Sequence, residues 1–191
     1  IKSIKTADRF LSKTFDTMKK LNLYEKTLFI IMGDHGDSFN EHNEIERQPD
    51  LRYEHGHFLY DNILKIPLIF YWPGIKVGKH YKQQVELTDL TPTILDALNV
   101  KSDSSFDGIS LKKAIHGEND QKFNPYVFSE VVRESRDLSL RSVRSSKTKL
   151  IRDDKLDQYE LYDLVNDPEE QKKLWPEDSH NEKDLLLAEL D

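Results

Sequence analysis

Carboxylate and imidazole side chains crowd into one polar segment, directly after the apolar run TLFIIM (27–32). Nine consecutive residues contain five of them: Asp34, His35, Asp37, Glu41 and His42. Both types of side chain are competent ligands for divalent cations. The segment is therefore a candidate metal site, although its spacing fits a solvated acidic loop flanked by two glycines equally well.

Two common metal motifs are excluded by this spacing. The segment lacks the alternating acidic residues and the closing Glu of an EF-hand loop, and it lacks the His-Glu-x-x-His of zinc proteases. A second candidate cluster follows in YEHGHFLYD (53–61), which carries His55 and His57. Taken alone, these two histidines are equally consistent with ordinary surface residues.

The elements around these clusters predict where the side chains lie. TLFIIM and KIPLIFYW (65–72) are apolar runs of strand length, and residues 4–23 have the apolar spacing of an amphipathic helix. Residues 85–100 predict a short strand followed by a helix. Open α/β sheets bind ligands at the carboxyl ends of their strands, and Asp34 and His35 follow such an end.

The second part of the chain has a different pattern. Short β-like segments separated by turn residues predict a small antiparallel sheet: residues 126–132, 138–144, 148–153 and 158–164. Asp167 and Pro168 are typical of a helix start, and residues 182–190 predict a last short helix. The fold class is therefore α/β, with a layered α/β sheet domain over residues 1–118. A small antiparallel sheet plus helix subdomain follows over residues 119–191.

The composition excludes several kinds of site and partner. The chain has no cysteine, which removes disulfides, thiolate metal ligands and a cysteine nucleophile. A formal net charge of −7 argues against nucleic acid as a partner. No apolar run approaches the roughly 20 residues that a membrane-spanning helix needs. The sequence gives no indication of cellular location.

The order of several long motifs resembles the carboxyl-terminal half of the sulfatase family, within the alkaline phosphatase superfamily. The motifs are GDHGDSFNEH, HGHFLYDNILKIPLIF, LTDLTPTILDALNV, FDGISLKKAIHG and YELYDLVNDPEEQKKL, and they span nearly the whole chain. The resemblance implies a sulfuric ester hydrolase that cleaves sulfate monoesters of small molecules or saccharides. It also implies that residues 1–118 form the carboxyl-terminal part of a sulfatase-like catalytic domain.

The resemblance assigns roles to three residues. Asp34 and His35 match the Asp-His/Asn pair that binds the catalytic divalent cation, for which Ca²⁺ is expected and Mn²⁺ or Mg²⁺ are the alternatives. His55 matches the histidine that faces the substrate anion or its leaving oxygen, and it is the expected catalytic residue.

Four neighbouring residues are less well defined by the resemblance. His42 and His57 are candidate substrate-binding or supporting residues, and the match of His42 is weakened because Asn40 stands where the family has glycine. Asp37 and Glu41 are expected to be solvated loop residues.

The family carries its nucleophile in a Cys/Ser-x-Pro-x-Arg motif, whose Cys or Ser is oxidised to formylglycine. None of the seven prolines here has an arginine two residues on. The formylglycine and the other metal carboxylates are therefore expected in a missing half, and the 191-residue chain alone is expected to be inactive. Because that half would supply central strands of the same sheet, self-association through an exposed sheet edge is also expected.

Basic residues are frequent between positions 133 and 152. A patch that holds an anionic substrate would account for them, and so would the solvent-facing positions of antiparallel strands. The alternation along the strands favours the second interpretation.

Two other functions stay open at this point. A phosphodiesterase or phosphonate monoester hydrolase of the same superfamily would use the same Asp-His pair, and the identity of the nucleophile would distinguish it. A truncated, non-catalytic interaction module is the third interpretation. The residues upstream of Ile1 would separate all three.

Overall fold

The computed structural model describes residues 2–42, 55–75, 78–118, 121–175 and 182–190. These residues form two antiparallel sheets, of two and four strands. The strands are β1 Phe29–Met32, β2 Leu68–Tyr71, β3 Val127–Arg133, β4 Leu138–Arg144, β5 Thr148–Asp153 and β6 Gln158–Asp163. The α-helices are α1 Lys2–Lys20, α2 Asp61–Leu64, α3 Leu90–Ala97, α4 Lys112–His116 and α5 Lys183–Leu190. The predicted α/β class is confirmed.

The two-stranded sheet carries the candidate metal segment at its end. β1 pairs with β2 so that Met32 lies opposite Leu68. The ring of Phe15 on α1 packs edge-on against Phe29 at 5.2 Å, which attaches the helix to this sheet. Most of the apolar face of α1 is uncovered nevertheless, because Phe10 is 66% exposed.

The four-stranded sheet is an antiparallel meander in the order β3-β4-β5-β6. Successive residues of a strand point to opposite faces, and β5 is apolar on both, since Leu150 and Ile151 are both buried. Leu150 packs with Leu186 of α5, whereas Ile151 packs with Leu59 and its neighbours between residues 58 and 64. The sheet is thus covered by α5 on one face and by the segment that follows His55 on the other.

Two local predictions are wrong. The short strand expected within residues 85–100 is a 3-10 turn, Leu87–Asp89, because the Asp89 carboxylate accepts the N–H groups of Glu86 (2.9 Å) and Ile109 (2.8 Å). The helix expected after Asp167 is a turn. Its backbone reverses at Glu170, where φ is +53°, and the Asp167 carboxylate accepts the N–H groups of residues 171 and 172.

The core crosses the predicted domain boundary. Buried Phe58, Leu59 and Tyr60 share one apolar cluster with Leu140 and Tyr162 of the four-stranded sheet. The division at residues 118 and 119 therefore stays a prediction about the chain, while the packing joins its two parts through this cluster. Among the described residues, no helix has both the length and the apolar character that crossing a membrane requires.

Candidate functional site

The polar segment after β1 is fixed in place by Gly36. Its N–H donates to Ile63 O of α2 at 2.7 Å, and a Cβ at this position would lie 1.9 Å from Asn62 O. Because that neighbour is backbone, only glycine fits here. This close approach sets where Asp34 and His35 can lie relative to α2.

Asp34 and His35 present two donor atoms to the same space. His35 Nδ1 lies 2.7 Å from Gly36 O. Since a carbonyl oxygen only accepts, Nδ1 carries a proton, and in the neutral imidazole Nε2 then has the free lone pair. Nε2 lies 3.7 Å from Asp34 Oδ2, and the Asp34 side chain is 89% exposed. A cation could contact both atoms.

The Asp34 carboxylate is stabilised in its charged form. Its own backbone N–H and that of His35, which donates to Oδ1 at 3.0 Å, lower the pKa of this group below its usual value, and the nearby imidazole adds to the effect. A carboxylate that stays ionised is what a metal ligand requires.

His55 is brought directly onto His35. The two imidazole rings are stacked, with centroids 3.6 Å apart and planes 24° from parallel. Asp37 Oδ1 lies 3.7 Å from His55 Nδ1, and one donor atom each from His35, Asp37 and His55 fall within 4.8 Å of one another. Asp37 is thus part of the site, although the sequence predicted only a solvated loop residue.

The stacking decides which of these donors could share one ion. An imidazole lone pair lies in the plane of its ring, so two stacked rings direct their lone pairs along nearly parallel lines. One cation cannot lie in both planes without rotation of a ring. Asp34 with His35 Nε2 therefore fits a cation better than His35 with His55, and His55 lies beside such a cation rather than on it.

The other two predicted histidines lie in different surroundings. The His42 ring stacks on Tyr60 at 3.8 Å, and Tyr60 in turn donates to Glu160 Oε2 at 2.9 Å. His57 is buried. Among the described residues, no ring contact joins either histidine to the His35–His55 pair, and their predicted contact with substrate stays a prediction.

Glu41 closes the loop that carries these residues. Its Oε2 accepts the N–H of Phe39 at 2.6 Å and the Asn62 side-chain amide at 3.1 Å. Burial acts to raise the pKa of Glu41, but the N–H groups of Phe39 and Glu41 and the amide of Asn62 outweigh it and lower the pKa. Glu41 thus ties the loop to α2, which the prediction of a solvated residue did not include.

A buried ionic cluster attaches the segment after His55 to the four-stranded sheet. Lys149 on β5 is fully buried and donates to Leu59 O at 3.1 Å and to Asp61 Oδ1 at 2.5 Å. Its ammonium also lies 2.7 Å from Glu170 Oε1, while Glu170 Oε2 accepts the N–H of Asp61 at 2.6 Å. Lys149 therefore bridges the carboxylate of Asp61, the first residue of α2, and that of Glu170.

The two carboxylates of this cluster have pKa values shifted in opposite directions. Burial acts to raise the pKa of Asp61, but the charge of Lys149 and the hydrogen bonds of Arg144 outweigh it and lower the pKa. Burial prevails at Glu170 and raises its pKa, because this side chain is 1% exposed against 13% for Asp61.

Most of the basic residues between positions 133 and 152 have structural roles. Four of them pair with carboxylates: Arg141 with Asp154, Arg144 with Asp61, Lys149 with Asp61 and Glu170, and Arg152 with Asp154 and Asp157. These four do not form a free anionic-substrate patch. Arg133 is different and contacts the backbone of His55.

Two family models match the chain. One, described as sulfatase, matches residues 1–100. The other, described as the C-terminal region of N-sulphoglucosamine sulphohydrolase, matches residues 51–190. Each model covers more than half of the chain.

Individual sulfatases also match this chain. The chain is 33% identical over 192 residues to a Δ4,5-hexuronate-2-O-sulfatase of Bacteroides thetaiotaomicron, covering 95% of this chain and 37% of that protein. Across the curated relatives compared, the chain spans between 29% and 39% of their length.

Two solved structures have the same fold. A 2-O GAG sulfatase superposes with a TM-score of 0.74 at 27% identity, covering 97% of this chain and 39% of the other. The phosphonate monoester hydrolase of Agrobacterium radiobacter superposes with a TM-score of 0.77 at 21% identity, covering 95% and 37% of the two chains. At that identity the second likeness concerns the fold alone.

Proposed function

Because this chain belongs to the sulfatase family and represents a carboxyl-terminal portion of it, we propose that it contributes one wall of a sulfate monoester hydrolase site. The observation that carries the proposal is the convergence of Asp34, His35 and His55 at the end of β1. These are the residues that the family resemblance assigns to the cation and to the substrate.

Asp34 and His35 Nε2 would hold the divalent cation. Their donor atoms are 3.7 Å apart, and His35 Nδ1 faces a carbonyl oxygen, which leaves Nε2 toward the cation. A bound cation would neutralise charge on the sulfate oxygens. Ca²⁺ is the expected ion, with Mn²⁺ or Mg²⁺ as alternatives. Since Ca²⁺ takes about 6–8 ligands, further ligands must come from outside this pair, and the affinity of the chain alone should be low.

His55 would act on the leaving group. Asp37 lies on the Nδ1 side of its ring, so that Nε2 is the atom available to a substrate. A proton on Nε2 could pass to the alkoxide oxygen as the S–O bond breaks. The stacked His35 ring fixes the orientation of His55 beside the cation site.

The nucleophile must come from elsewhere. The 191 residues contain no cysteine and no Ser-x-Pro-x-Arg sequence. We therefore expect the family's formylglycine in a part of the site that these residues do not supply, and we expect the chain alone to be inactive.

Sulfated saccharides are the substrate class that the relatives favour. One relative is a hexuronate-2-O-sulfatase and one structural neighbour is a 2-O GAG sulfatase. The alternative is a phosphonate monoester hydrolase, because the chain also shares the fold of the Agrobacterium radiobacter enzyme. Sulfate and phosphonate are anions of similar size, and the Asp-His pair would serve both.

Self-association is a further part of the proposal. β1 and β2 form a sheet of only two strands, and Ile69 of β2 is 56% exposed. A short sheet with apolar residues at its surface is a site for pairing with a second copy when no other strands cover it.

A sulfatase assay with an aryl sulfate and added Ca²⁺ or Mn²⁺ tests the proposed function. The 191-residue chain should give no turnover, whereas the same chain joined to an upstream half that carries formylglycine should hydrolyse the ester. Robust turnover by the chain alone would refute the need for an outside nucleophile. A longer protein that cleaves phosphonate monoesters but not sulfate esters would favour the alternative.

A further inference from the structure

The side chain of Arg133 reaches the rim of the candidate site from the other part of the chain. Arg133 is the last residue of β3, and its Nη2 lies 3.4 Å from His55 O, 78 residues away in sequence. The guanidinium therefore contacts the backbone of the residue whose imidazole would meet the sulfate ester.

Gly56 makes room for this approach. A Cβ at Gly56 would lie 2.6 Å from Arg133 Nη2, and the backbone there has a φ of +76°. Any other residue would both strain the turn and displace the guanidinium. The absence of a side chain at Gly56 thus leaves space for the guanidinium of Arg133.

The charge of Arg133 is not neutralised within the part of the chain that the structure describes. Arg141, Arg144 and Arg152 each lie within 3.4 Å of a carboxylate, but no carboxylate among these residues pairs with Arg133. A guanidinium has five N–H donors in a planar fork, and the His55 carbonyl takes one of them. The Arg133 guanidinium therefore has further N–H donors that could bind an anion beside the site.

We propose that Arg133 binds a second anionic group, a carboxylate or a second sulfate, on a saccharide whose scissile sulfate ester lies at His55. The planar fork of arginine matches both anions. Arg133 touches no reacting atom, so its role is specificity. The inference rests on the proposed function, because it takes His55 as the residue that meets the ester.

A structural role for Arg133 predicts a different outcome. If the arginine only supports the turn at residues 55 and 56, its loss should disturb His55 and should weaken every substrate equally. If it binds a second anion, its loss should affect only substrates that carry one. Kinetics with matched substrates separate the two roles.

The experiment compares Arg133→Gln with wild type in the formylglycine-containing longer protein. The three substrates are a neutral hexosamine with one sulfate, a sulfated hexuronate with a carboxylate, and a hexosamine with two sulfates. KM for at least one dianionic sugar should rise about 10- to 100-fold with little change in kcat, as expected for a lost charged hydrogen bond. KM for the monosulfated sugar should stay within about twofold. The dianionic sugar whose KM rises identifies the anion that Arg133 binds.

Arg136→Gln is the matched control, since it removes the same charge from the same hairpin and, among the described residues, Arg136 makes no contact with the turn at residue 56. It should leave all three KM values unchanged. Equal losses on all three substrates with Arg133→Gln, or no loss on any, would overturn the inference.

Calorimetric measurement of the binding of the same three sugars distinguishes failure of the proposed function from failure of the inference about Arg133. If Arg133→Gln abolishes a wild-type preference for a dianionic sugar while no sulfate ester is turned over, the proposed function fails and only anion binding by Arg133 is supported. If sulfate esters are turned over but wild type has no preference for a dianionic sugar, the inference fails and the proposed function stands.

Discussion

The imidazole rings of His35 and His55 lie in contact, with their centroids 3.6 Å apart, although the two residues are about 20 positions apart in the sequence. The contact joins a residue that follows β1 to a residue that precedes α2. Because one ion cannot lie in the planes of two stacked rings, the two histidines are expected to have different roles. We therefore propose that His35 acts with Asp34 on the cation and that His55 acts on the substrate.

This division predicts different responses to His35→Ala and His55→Ala in the longer, formylglycine-containing protein. Loss of a metal ligand should lower activity in a way that a higher cation concentration restores. Loss of a proton donor should lower kcat by about 10²- to 10⁴-fold, and no cation concentration should restore it. The loss should be smaller for aryl sulfates, whose leaving oxygen needs less protonation.

Steady-state kinetics at a series of Ca²⁺ concentrations measure both effects. His80→Ala is the control, because His80 is exposed and lies outside the site. Activity of His55→Ala that recovers with added cation would contradict the assignment.

The buried ammonium of Lys149 should be essential for stability. Lys149→Met leaves Glu170 without its cation and leaves Asp61 with Arg144 alone, and removing one partner of a buried ion pair costs about 3–5 kcal/mol. Lys155→Met is the matched control, because Lys155 pairs with Asp137 at the surface at 3.0 Å and such pairs contribute about 0–1 kcal/mol.

Urea unfolding measures both changes. Adding Glu170→Gln to Lys149→Met should recover part of the loss, since it removes one of the stranded charges. Equal effects of the two lysine substitutions would show that the cluster does not anchor the fold.

Asp154 should contribute to acid unfolding. Two hydrogen bonds from Arg141, at 2.9 and 2.8 Å, hold the pKa of Asp154 below its usual 3.8. A carboxylate with a lowered folded-state pKa stabilises the protein above its unfolded-state pKa, and this stability is lost as the pH falls through the folded-state pKa.

The free energy of unfolding of wild type should therefore exceed that of Asp154→Asn near pH 6, and the difference should shrink below about pH 4. Asp157→Asn is the control, because its carboxylate is 76% exposed and pairs with Arg152 only at the surface. A difference between wild type and Asp154→Asn that is constant with pH would be inconsistent with the ion pair.

The uncovered two-stranded sheet predicts that the isolated chain self-associates. Ile69→Lys places a charge on β2 at an exposed position and should shift the chain toward monomer in gel filtration and light scattering. Val165→Lys adds the same charge at a turn in the other part of the chain and should have no effect, although Val165 is 63% exposed. A monomeric wild-type chain would contradict the proposal.

The strands of the larger sheet could be predicted closely because their information is local. Alternating apolar residues and intervening turns gave β4 and β5 with their observed bounds. The turn at Glu170 could not be predicted in this way. Its left-handed backbone accompanies a contact with Asp61, 109 residues away, and local preferences after Asp167 and Pro168 favour a helix.

The candidate site could likewise be predicted only where the information is local. Asp34, His35 and His55 were found through their motifs, while their spacing alone left a solvated loop equally open. Asp37 was one of five candidate ligands and was expected to be solvated, and Arg133 was one of several basic residues. Neither could be singled out, because each acquires its role from its contact with His55.

The long sequence separations within the Lys149 cluster have a consequence for biosynthesis. Asp61 leaves the ribosome 109 residues before Glu170, an interval of about 5–20 s at usual rates of translation. Until residues 138–164 have been made, its carboxylate and the apolar side chains of residues 58–64 also have no sheet to pack against. The segment after His55 therefore reaches its final packing only late in synthesis, when the sheet has been made.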